Sequence, residues 1–183
     1  MIKEFIVGQL ANRCYLVIKE QKAILIDAGD CYNEVKTYLS NNNITLIAVL
    51  LTNGHFDHAW SAFKFQADGV PIYIHKEDSD KLYTNNNLAN LFGFDFHNLK
   101  ADFEISEGNL DIDIFHFKVI NTPGHSKGSC SYICDNHIFV GDTLFENGYG
   151  RYDLYDGDYF ALMHSINILN QYREKNYLFH YGH

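Results

Sequence analysis

The sequence lacks the features of a secreted, membrane-spanning or disulfide-stabilised protein. No apolar run approaches the ~20 residues that cross a bilayer, and the start, Met1–Val7, has neither the long apolar core nor the small-residue cleavage site of a signal peptide. Cysteine is scarce: Cys14, Cys31, Cys130 and Cys134 form no Cys-x-x-Cys pair, and four cysteines in 183 residues make no disulfide scaffold. A reduced, cytoplasmic protein is therefore predicted.

Positive charge is also scarce. The chain has 14 Lys and Arg against 23 Asp and Glu, a formal net charge of −9, and no basic run, which argues against nucleic acid or an anionic membrane as a partner. No linker rich in Pro, Gly or Ser divides the sequence, and 46% of its residues are hydrophobic. One globular domain over residues 1–183 is predicted, in which some carboxylates are ligands whose charge a bound cation neutralises.

What the sequence does contain is a series of short apolar runs mixed with helical patterns. Strands and helices in both halves predict an α+β protein with two packed sheets and helices outside. The predicted strands are Ile2–Val7, Cys14–Lys19, Ala23–Asp27, Leu46–Leu51, Ile72–Ile74, Leu110–Asp113, Phe115–Asn121, Ser129–Cys134, His137–Val140 and Tyr177–Phe179. The predicted helices are Tyr32–Leu39, Ala59–Gln66, Lys76–Tyr83 and Tyr159–Leu169.

Histidine and aspartate follow several of these strands directly. Histidine nitrogen and carboxylate oxygen are the usual ligands of catalytic zinc-type sites, and strand ends can bring separate segments to one point. The pattern therefore predicts a metal site. Its candidate ligands are, in chain order, His55, Asp57 and His58 after the fourth strand, His125 after a Pro-Gly turn, Asp142 after Gly141, and His183.

These segments resemble the ordered motifs of the metallo-β-lactamase superfamily. The stretch Asn53-Gly54-His55-Phe56-Asp57-His58 is similar to its His-x-His-x-Asp-His signature, with Asn53 in place of the first histidine. The segment 148–153, Gly-Tyr-Gly-Arg-Tyr-Asp, resembles the glyoxalase II-like branch. The resemblance covers essentially the whole chain. It implies a four-layer αββα sandwich built from two similar halves.

The resemblance also implies roles for individual residues. It implies two metal positions that share one carboxylate, with His55 and His125 at the first, Asp57, His58 and His183 at the second, and Asp142 bridging them. Asp27 stands where the family has a carboxylate that fixes a ligand imidazole. Asp57 is also the candidate catalytic residue, because it could orient a hydroxide or carry its proton.

The chemistry that this set implies is hydrolysis. One or two divalent ions are expected, zinc first, with iron or manganese as alternatives, and a zinc-type centre lowers the pKa of bound water to roughly 7. Such a hydroxide attacks a carbonyl carbon, so a small thioester or carboxylic ester is the expected substrate. Full-length glyoxalase II has a further helical domain that contributes to glutathione binding. That domain is expected to be absent here, which argues against glutathione specificity.

Asn53 leaves alternatives open. An amide oxygen is a weak zinc ligand, so reduced occupancy or a different metal is expected at the first position. A mononuclear iron enzyme of the persulfide dioxygenase kind and a degenerate metal-binding member with little activity are the alternatives. His180 is a possible substitute for His183. Packing or surface roles are expected for the remaining histidines and for two cysteines and three phenylalanines: His75, His97, His116, His137, His164, Cys130, Cys134, Phe92, Phe94 and Phe96. For the three phenylalanines the alternative is a hydrophobic wall over the metal site.

Overall fold

The centre of the molecule is a pair of β-sheets packed face to face. A computed structural model describes all residues, 1–183. The first sheet has six strands in sequence order, of which β1 to β3 are antiparallel and β3 to β6 are parallel. These strands are β1 (Ile2–Val7), β2 (Asn12–Lys19), β3 (Lys22–Ile26), β4 (Thr45–Leu50), β5 (Ile72–His75) and β6 (Phe103–Ile105).

The second sheet has five strands in the order β13-β10-β9-β8-β7. Its members are antiparallel neighbours except for the parallel pair of β10 and β13. The strands are β7 (Gly108–Ile112), β8 (Phe115–Asn121), β9 (Cys130–Cys134), β10 (His137–Gly141) and β13 (Leu178–Tyr181), and a separate hairpin is formed by β11 (Leu144–Phe145) and β12 (Gly148–Tyr149).

Successive side chains along each strand point to opposite faces of the sheet, and this alternation builds the layers of the sandwich. In β2, Tyr15 and Val17 belong to the apolar core between the sheets, whereas Leu16 and Ile18 belong to the core on the opposite face. Phe117 and Tyr132 reach the inter-sheet core from the second sheet. Because side chains alternate across a strand, both faces of each sheet carry buried apolar residues, and both faces require cover.

Helices supply that cover. Three helices, α1 (Tyr32–Asn42), α2 (Phe56–Ala59) and α3 (Ala62–Ala67), cover the first sheet, and α4 (Tyr159–Glu174) covers the second. Val35 and Phe65 are fully buried against the first sheet, and Leu169 against the second. Asp158 caps α4 by accepting a hydrogen bond from the backbone N–H of Ala161 at 2.7 Å. The predicted αββα sandwich is confirmed.

Three details differ from the sequence prediction. The helix predicted over Ala59–Gln66 is the two short helices α2 and α3, separated at Trp60 and Ser61. The helix predicted over Lys76–Tyr83 is only a 3₁₀-helix over Ser79–Tyr83, followed by two further 3₁₀ turns in the next ten residues. Strands β6, β11 and β12 were not predicted, because they are two or three residues long and mostly exposed or half-buried.

None of the helices combines the length and the apolar character that crossing a lipid bilayer requires.

Candidate metal centre

The candidate ligands all come from one edge of the sandwich. The loop that carries His55, Asp57 and His58 follows β4, and Asp27 follows the adjacent parallel strand β3. In the second sheet β8, β10 and β13 run in the same direction, and His125, Asp142 and His183 follow their carboxyl ends. Carboxyl ends of parallel strands meet at one sheet edge, so residues 156 positions apart are brought together there.

Four of these residues form a tight donor cluster. One ligand atom from each of Asp57, His58, Asp142 and His183 lies within 4.8 Å of all the others. His58 Nε2 lies 3.2 Å from Asp142 Oδ1, and His183 Nε2 lies 3.1 Å from Asp57 Oδ2. This is the set that the sequence assigned to the second metal position together with the bridging carboxylate.

The two remaining histidines lie on the other side of Asp142. His55 Nδ1 and His125 Nε2 face each other at 2.9 Å, and His125 Nε2 lies 3.4 Å from the second carboxylate oxygen of Asp142. Asp142 therefore directs one oxygen towards each group. The structure brings together all six predicted ligands, as two adjacent donor sets that share one carboxylate.

Hydrogen bonds outside the cluster fix which nitrogen of three imidazoles faces inwards. His58 Nδ1 donates to Asp27 at 2.8 Å, His125 Nδ1 to the carbonyl oxygen of Arg151 at 2.8 Å, and His183 Nδ1 to the carbonyl oxygen of Leu10 at 2.8 Å. Because each Nδ1 donates outwards, Nε2 is the nitrogen that faces the cluster, and it offers a lone pair to a metal ion once its own proton has left. Fixing the ring in this way raises its basicity as a metal ligand.

Asp27 is itself held in place. Its carboxylate accepts hydrogen bonds from the backbone N–H and the hydroxyl of Thr52, both at 2.8 Å, and its backbone adopts a left-handed φ of 58°. Non-glycine residues seldom adopt this conformation, but aspartate tolerates it better than most. The predicted role of Asp27, to orient a ligand imidazole, agrees with this geometry.

The carboxylates of the cluster and the imidazoles that they face shift one another's pKa values. Burial lowers the pKa of His58, but the carboxylates of Asp142 and Asp27 outweigh this effect and raise the pKa well above 6.5. Burial likewise opposes the rise in the pKa of His183, which the facing carboxylates of Asp142 and Asp57 bring to about 10. Burial also opposes the lowering of the Asp142 pKa, which the facing His58 holds well below its usual value. Carboxylates that hold a proton so firmly on imidazole attract any cation.

The residues present fit a divalent metal ion. His58 Nε2 and Asp142 Oδ1 are buried and have no hydrogen-bond partner, which is costly unless another group satisfies them. The donor atoms are imidazole nitrogens and carboxylate oxygens, which suit zinc, iron and manganese. At the first donor set, His55 is nearly fully buried, and burial, helped by the neighbouring His125, lowers the pKa of His55 to about 4. A neutral imidazole at pH 7 is the form that binds metal.

Asn53 does not direct its amide towards either donor set. Its Oδ1 accepts a hydrogen bond from the backbone N–H of His55 at 2.9 Å, and its Nδ2 donates to the Thr52 hydroxyl at 3.4 Å. The side chain is buried and forms a local turn that holds the His55 loop. The first donor set therefore consists of His55, His125 and Asp142.

Asp78 is a functional candidate that the sequence reasoning missed. Its carboxylate accepts hydrogen bonds from the Gly54 N–H at 2.8 Å and from the Ser126 hydroxyl and Gly128 N–H, both at 2.7 Å. Gly54 belongs to the His55 loop, and the other two belong to the His125 loop. The one available signal was an aspartate shortly after β5, at the edge where the other ligands lie. Asp78 thus joins the two loops that supply the first donor set.

Lys81 neutralises Asp78. Its buried ammonium group lies 2.8 Å from Asp78 and 2.6 Å from Asp156. The Asp156 carboxylate also accepts a hydrogen bond from the backbone N–H of Lys127 at 3.1 Å. This network, Asp78–Lys81–Asp156, links the segment after β5 to the loop that contains Arg151.

The other histidines lie outside the cluster. His180 is paired with His137 at 2.8 Å and stacks on Phe139, so the donor cluster contains His183 and not His180. His97 stacks on Phe63, and His116 pairs with Asp111 on the surface. Cys130 and Cys134 are buried in the inter-sheet core, as predicted.

A cleft of about 320 Å³ opens onto both donor sets. His55, Asp57, His125, Asp142 and His183 reach its surface, and the rest of its wall is mainly apolar. The apolar and basic part of the wall is formed by Leu10, Phe56, Leu88, Phe92, Phe145, Leu154 and Arg151. A substrate in this cleft would lie directly against the metal ligands.

Together, the sandwich and the shared-carboxylate cluster define a candidate metal site whose donor residues come from both sheets. Residues 7–182 match the model of the metallo-beta-lactamase superfamily, and the chain belongs to that family. A probable metallo-hydrolase of Bacillus subtilis, YqgX, is 32% identical over 167 residues, which cover 88% of this chain and 79% of the relative. A probable metallo-hydrolase of Methanocaldococcus jannaschii, MJ0888, is 33% identical over 169 residues, 88% of this chain and 81% of the relative.

Solved structures agree with this assignment. The BLEG-1 B3 metallo-beta-lactamase superposes with a TM-score of 0.86 at 32% identity, covering 91% of this chain and 84% of that one. TTHA1623, solved in a di-iron-bound form, has a TM-score of 0.86 at 28% identity, with 99% and 91% covered. ETHE1 from Myxococcus xanthus, at 22% identity and a TM-score of 0.82, shows the shared fold alone.

Proposed function

We propose that this protein is a metal-dependent hydrolase of small thioesters or carboxylic esters, similar to the glyoxalase II-like branch of its superfamily. The observation that carries the proposal is the pair of donor sets sharing Asp142 at the floor of an apolar cleft. The relatives named as probable metallo-hydrolases support it. Zinc is the metal we expect, and a cytoplasmic setting is part of the proposal.

The ligand residues would hold one or two divalent ions. When bound, such ions lower the pKa of a coordinated water to roughly 7 and polarise a carbonyl oxygen. His55, His125 and Asp142 would hold the first ion, and Asp57, His58, His183 and Asp142 the second.

Asp57 is the candidate for moving the proton. Burial raises the pKa of its carboxyl, but His58 and His183 outweigh burial and hold that pKa below its usual value. Asp57 is therefore an ionised acceptor at neutral pH. Its side chain is 14% exposed and forms part of the cleft wall, so it can orient a water molecule and accept its proton. The apolar wall excludes bulk water from the ester.

The test is turnover of thioesters by purified protein loaded separately with zinc, manganese or iron. We expect release of free thiol that a chelator abolishes and added metal restores. The His125→Ala variant should lose at least about a hundredfold in kcat/KM, because it removes a ligand. His116→Ala, which changes an exposed histidine far from the cleft, should behave as the parent does. Absence of chelator-sensitive turnover for every thioester and ester would refute the proposal.

A second candidate is a mononuclear iron enzyme of the persulfide dioxygenase kind. One observation favours it: His55, His125 and Asp142 make a two-histidine, one-carboxylate set, which is the ligand type of non-haem iron oxygenases. Iron-dependent oxygen consumption with a persulfide, without thioester hydrolysis, would favour this candidate over the first.

A further inference from the structure

A second, smaller cavity adjoins the cleft of the metal centre. It measures about 160 Å³ and shares Leu10, Phe56 and Asp57 with the cleft. Its other apolar walls are Val7, Trp60 and Phe94, none of which is a metal ligand. A group bound in this side cavity would therefore lie next to the reacting centre without occupying it.

The aromatic wall of the side cavity is held firmly by packing. Phe56 is buried and stacks on Phe94 with ring centroids 5.0 Å apart, and Trp60 meets the same two rings edge-on at 6.2 and 5.8 Å. The backbone N–H of Phe94 donates to the carbonyl oxygen of Ala89 at 2.9 Å. The surface is thus formed before a ligand arrives, which reduces the entropy lost on binding.

Charge in and around the side cavity disfavours an anion. Its charged residues are Asp30 and Asp57, and its remaining polar side chains are Gln9 and Asn12. Arg151 is the one lysine or arginine lining either cavity, and Asp153 already binds it through two hydrogen bonds of 2.9 and 3.0 Å. A carboxylate on the substrate would therefore find no free cationic side chain here.

The volume limits the size of the group. An apolar cavity of about 150 Å³ accommodates benzene, so 160 Å³ is enough for one phenyl ring or a short alkyl chain. We propose that the side cavity binds an uncharged apolar group of the substrate, a phenyl ring or an alkyl chain of about six carbons, while the scissile carbonyl lies in the metal cleft. This inference rests on the proposed hydrolase function for its substrate class.

Binding can be measured without turnover, because Trp60 is the single tryptophan of the chain and lines the side cavity. We would titrate the purified protein with 2-octanone, an uncleavable ketone with a six-carbon arm, and follow tryptophan emission. The expected result is a saturable blue shift in the millimolar range, because the alkyl arm displaces water from the indole. Acetone, which lacks the arm, and S-methylglutathione, which is polar and charged, should produce no saturable shift.

A charge-introducing variant makes the test specific. Leu10→Lys places an ammonium group at the shared wall without altering the Leu10 carbonyl that holds His183. The apparent affinity of this variant for 2-octanone should fall about tenfold or more, because the bound alkyl arm would bury the lysine ammonium group away from water. Leu178→Lys is the matched control, since Leu178 is 51% exposed and lines neither cavity.

The outcomes separate this inference from the proposed function. No saturable shift with 2-octanone, or an equal shift with S-methylglutathione, would overturn the side-cavity assignment even if thioesters are hydrolysed. A 2-octanone shift that Leu10→Lys weakens and Leu178→Lys leaves unchanged would support it even if no ester is cleaved. If turnover is found, kcat/KM for a hexanoyl thioester should exceed that for the acetyl thioester of the same thiol by at least about tenfold, since each buried methylene favours binding.

Discussion

At the scale of single residues, the geometry of the candidate metal centre depends on the hydrogen-bond acceptor that orients each imidazole. Three imidazoles donate from Nδ1 to an oxygen outside the cluster, and only one of these acceptors, Asp27, is a side chain. The acceptors for His125 and His183 are main-chain carbonyl oxygens. Side-chain substitution can therefore disturb the support of His58 directly, whereas the supports of the other two depend on the path of the backbone.

Asp27→Asn tests this support. The amide is a weaker acceptor for His58 Nδ1 and removes one negative charge beside the ligand, so we expect metal affinity to fall 10- to 100-fold. The measurement is competition for zinc against a chromogenic chelator. Asp95→Asn, at an exposed position, provides the same chemical change away from the cluster and should leave the affinity unchanged. Equal affinities for the two variants would contradict the role of Asp27.

Asn53→His tests the residue that departs from the superfamily signature. Asn53 now binds the backbone N–H of His55 and supplies no ligand atom to the first set. We expect the histidine to add a nitrogen ligand and raise the metal content per chain at a fixed free zinc concentration, because imidazole binds zinc better than an amide oxygen does. Elemental analysis of both proteins measures it. If metal content and hydrolysis rate both stay at the parent values, Asn53 does not limit the first position.

At the scale of elements, the sequence was most reliable where a strand is long and buried. The segments before Asp27, His55, His125 and Asp142 are strands β3, β4, β8 and β10, because apolar or alternating segments of five to seven residues have the length of strands and are too short for typical helices. Five of the six candidate ligands could be predicted from sequence for the same reason, because they follow such a strand within eight residues. His183 instead follows the short, partly exposed strand β13.

Short elements and tertiary supports could not be found in this way. Strand β6 is three residues with no buried member, and it exists because Phe103 and Ile105 pair with β5. Asp78 looked like an ordinary polar residue in a helical pattern. Its role arises only because folding brings Gly54 and Gly128, 74 positions apart, to the same carboxylate.

Asp78→Asn tests the connection between the two ligand loops. The change leaves the buried Lys81 with Asp156 as its remaining carboxylate and weakens the hydrogen bonds that the charged Asp78 accepts, so we expect the free energy of unfolding at pH 7 to fall by about 1.5–3 kcal/mol. Asp111→Asn, which changes an exposed aspartate paired with His116, is the control and should alter it little. Urea unfolding followed by circular dichroism measures both variants. A loss no greater than that of the control would refute this role.

The same variant should also change how the stability of the fold depends on pH. Burial raises the pKa of Asp78, but Lys81 and the hydrogen bonds from Ser126 and Gly54 outweigh burial, so this pKa lies below its usual 3.8. A carboxyl with a lowered pKa in the folded state stabilises fully above its unfolded pKa, and the stabilisation is lost as pH falls through the folded pKa. Between pH 5 and pH 2 the parent should therefore lose more stability than Asp78→Asn. Parallel stability curves over this range would contradict the assignment.

At the scale of the whole molecule, the candidate ligands come from both sheets. His55, Asp57 and His58 follow a strand of the first sheet, whereas His125, Asp142 and His183 follow strands of the second. A metal ion held by this set would connect the two layers at their edge. Without a cation, three carboxylates, Asp27, Asp57 and Asp142, are concentrated in the cluster of a chain that already has a net charge of −9.

Metal removal should therefore lower the stability of the entire fold and not only the activity. A ligand that binds only the folded state stabilises it by about 4 kcal/mol at a free concentration a thousand times its Kd. For a chain of this size each kcal/mol shifts Tm by roughly 2–4 °C, so chelation should lower Tm by roughly 8–16 °C. Calorimetry of the protein with zinc and after exhaustive dialysis against chelator measures it. Asp142→Ala, which removes the shared ligand, should show little zinc-dependent shift, whereas Asp111→Ala should keep it. Equal Tm values with and without zinc for the parent protein would mean that the cluster does not bind the ion as a link between the two sheets.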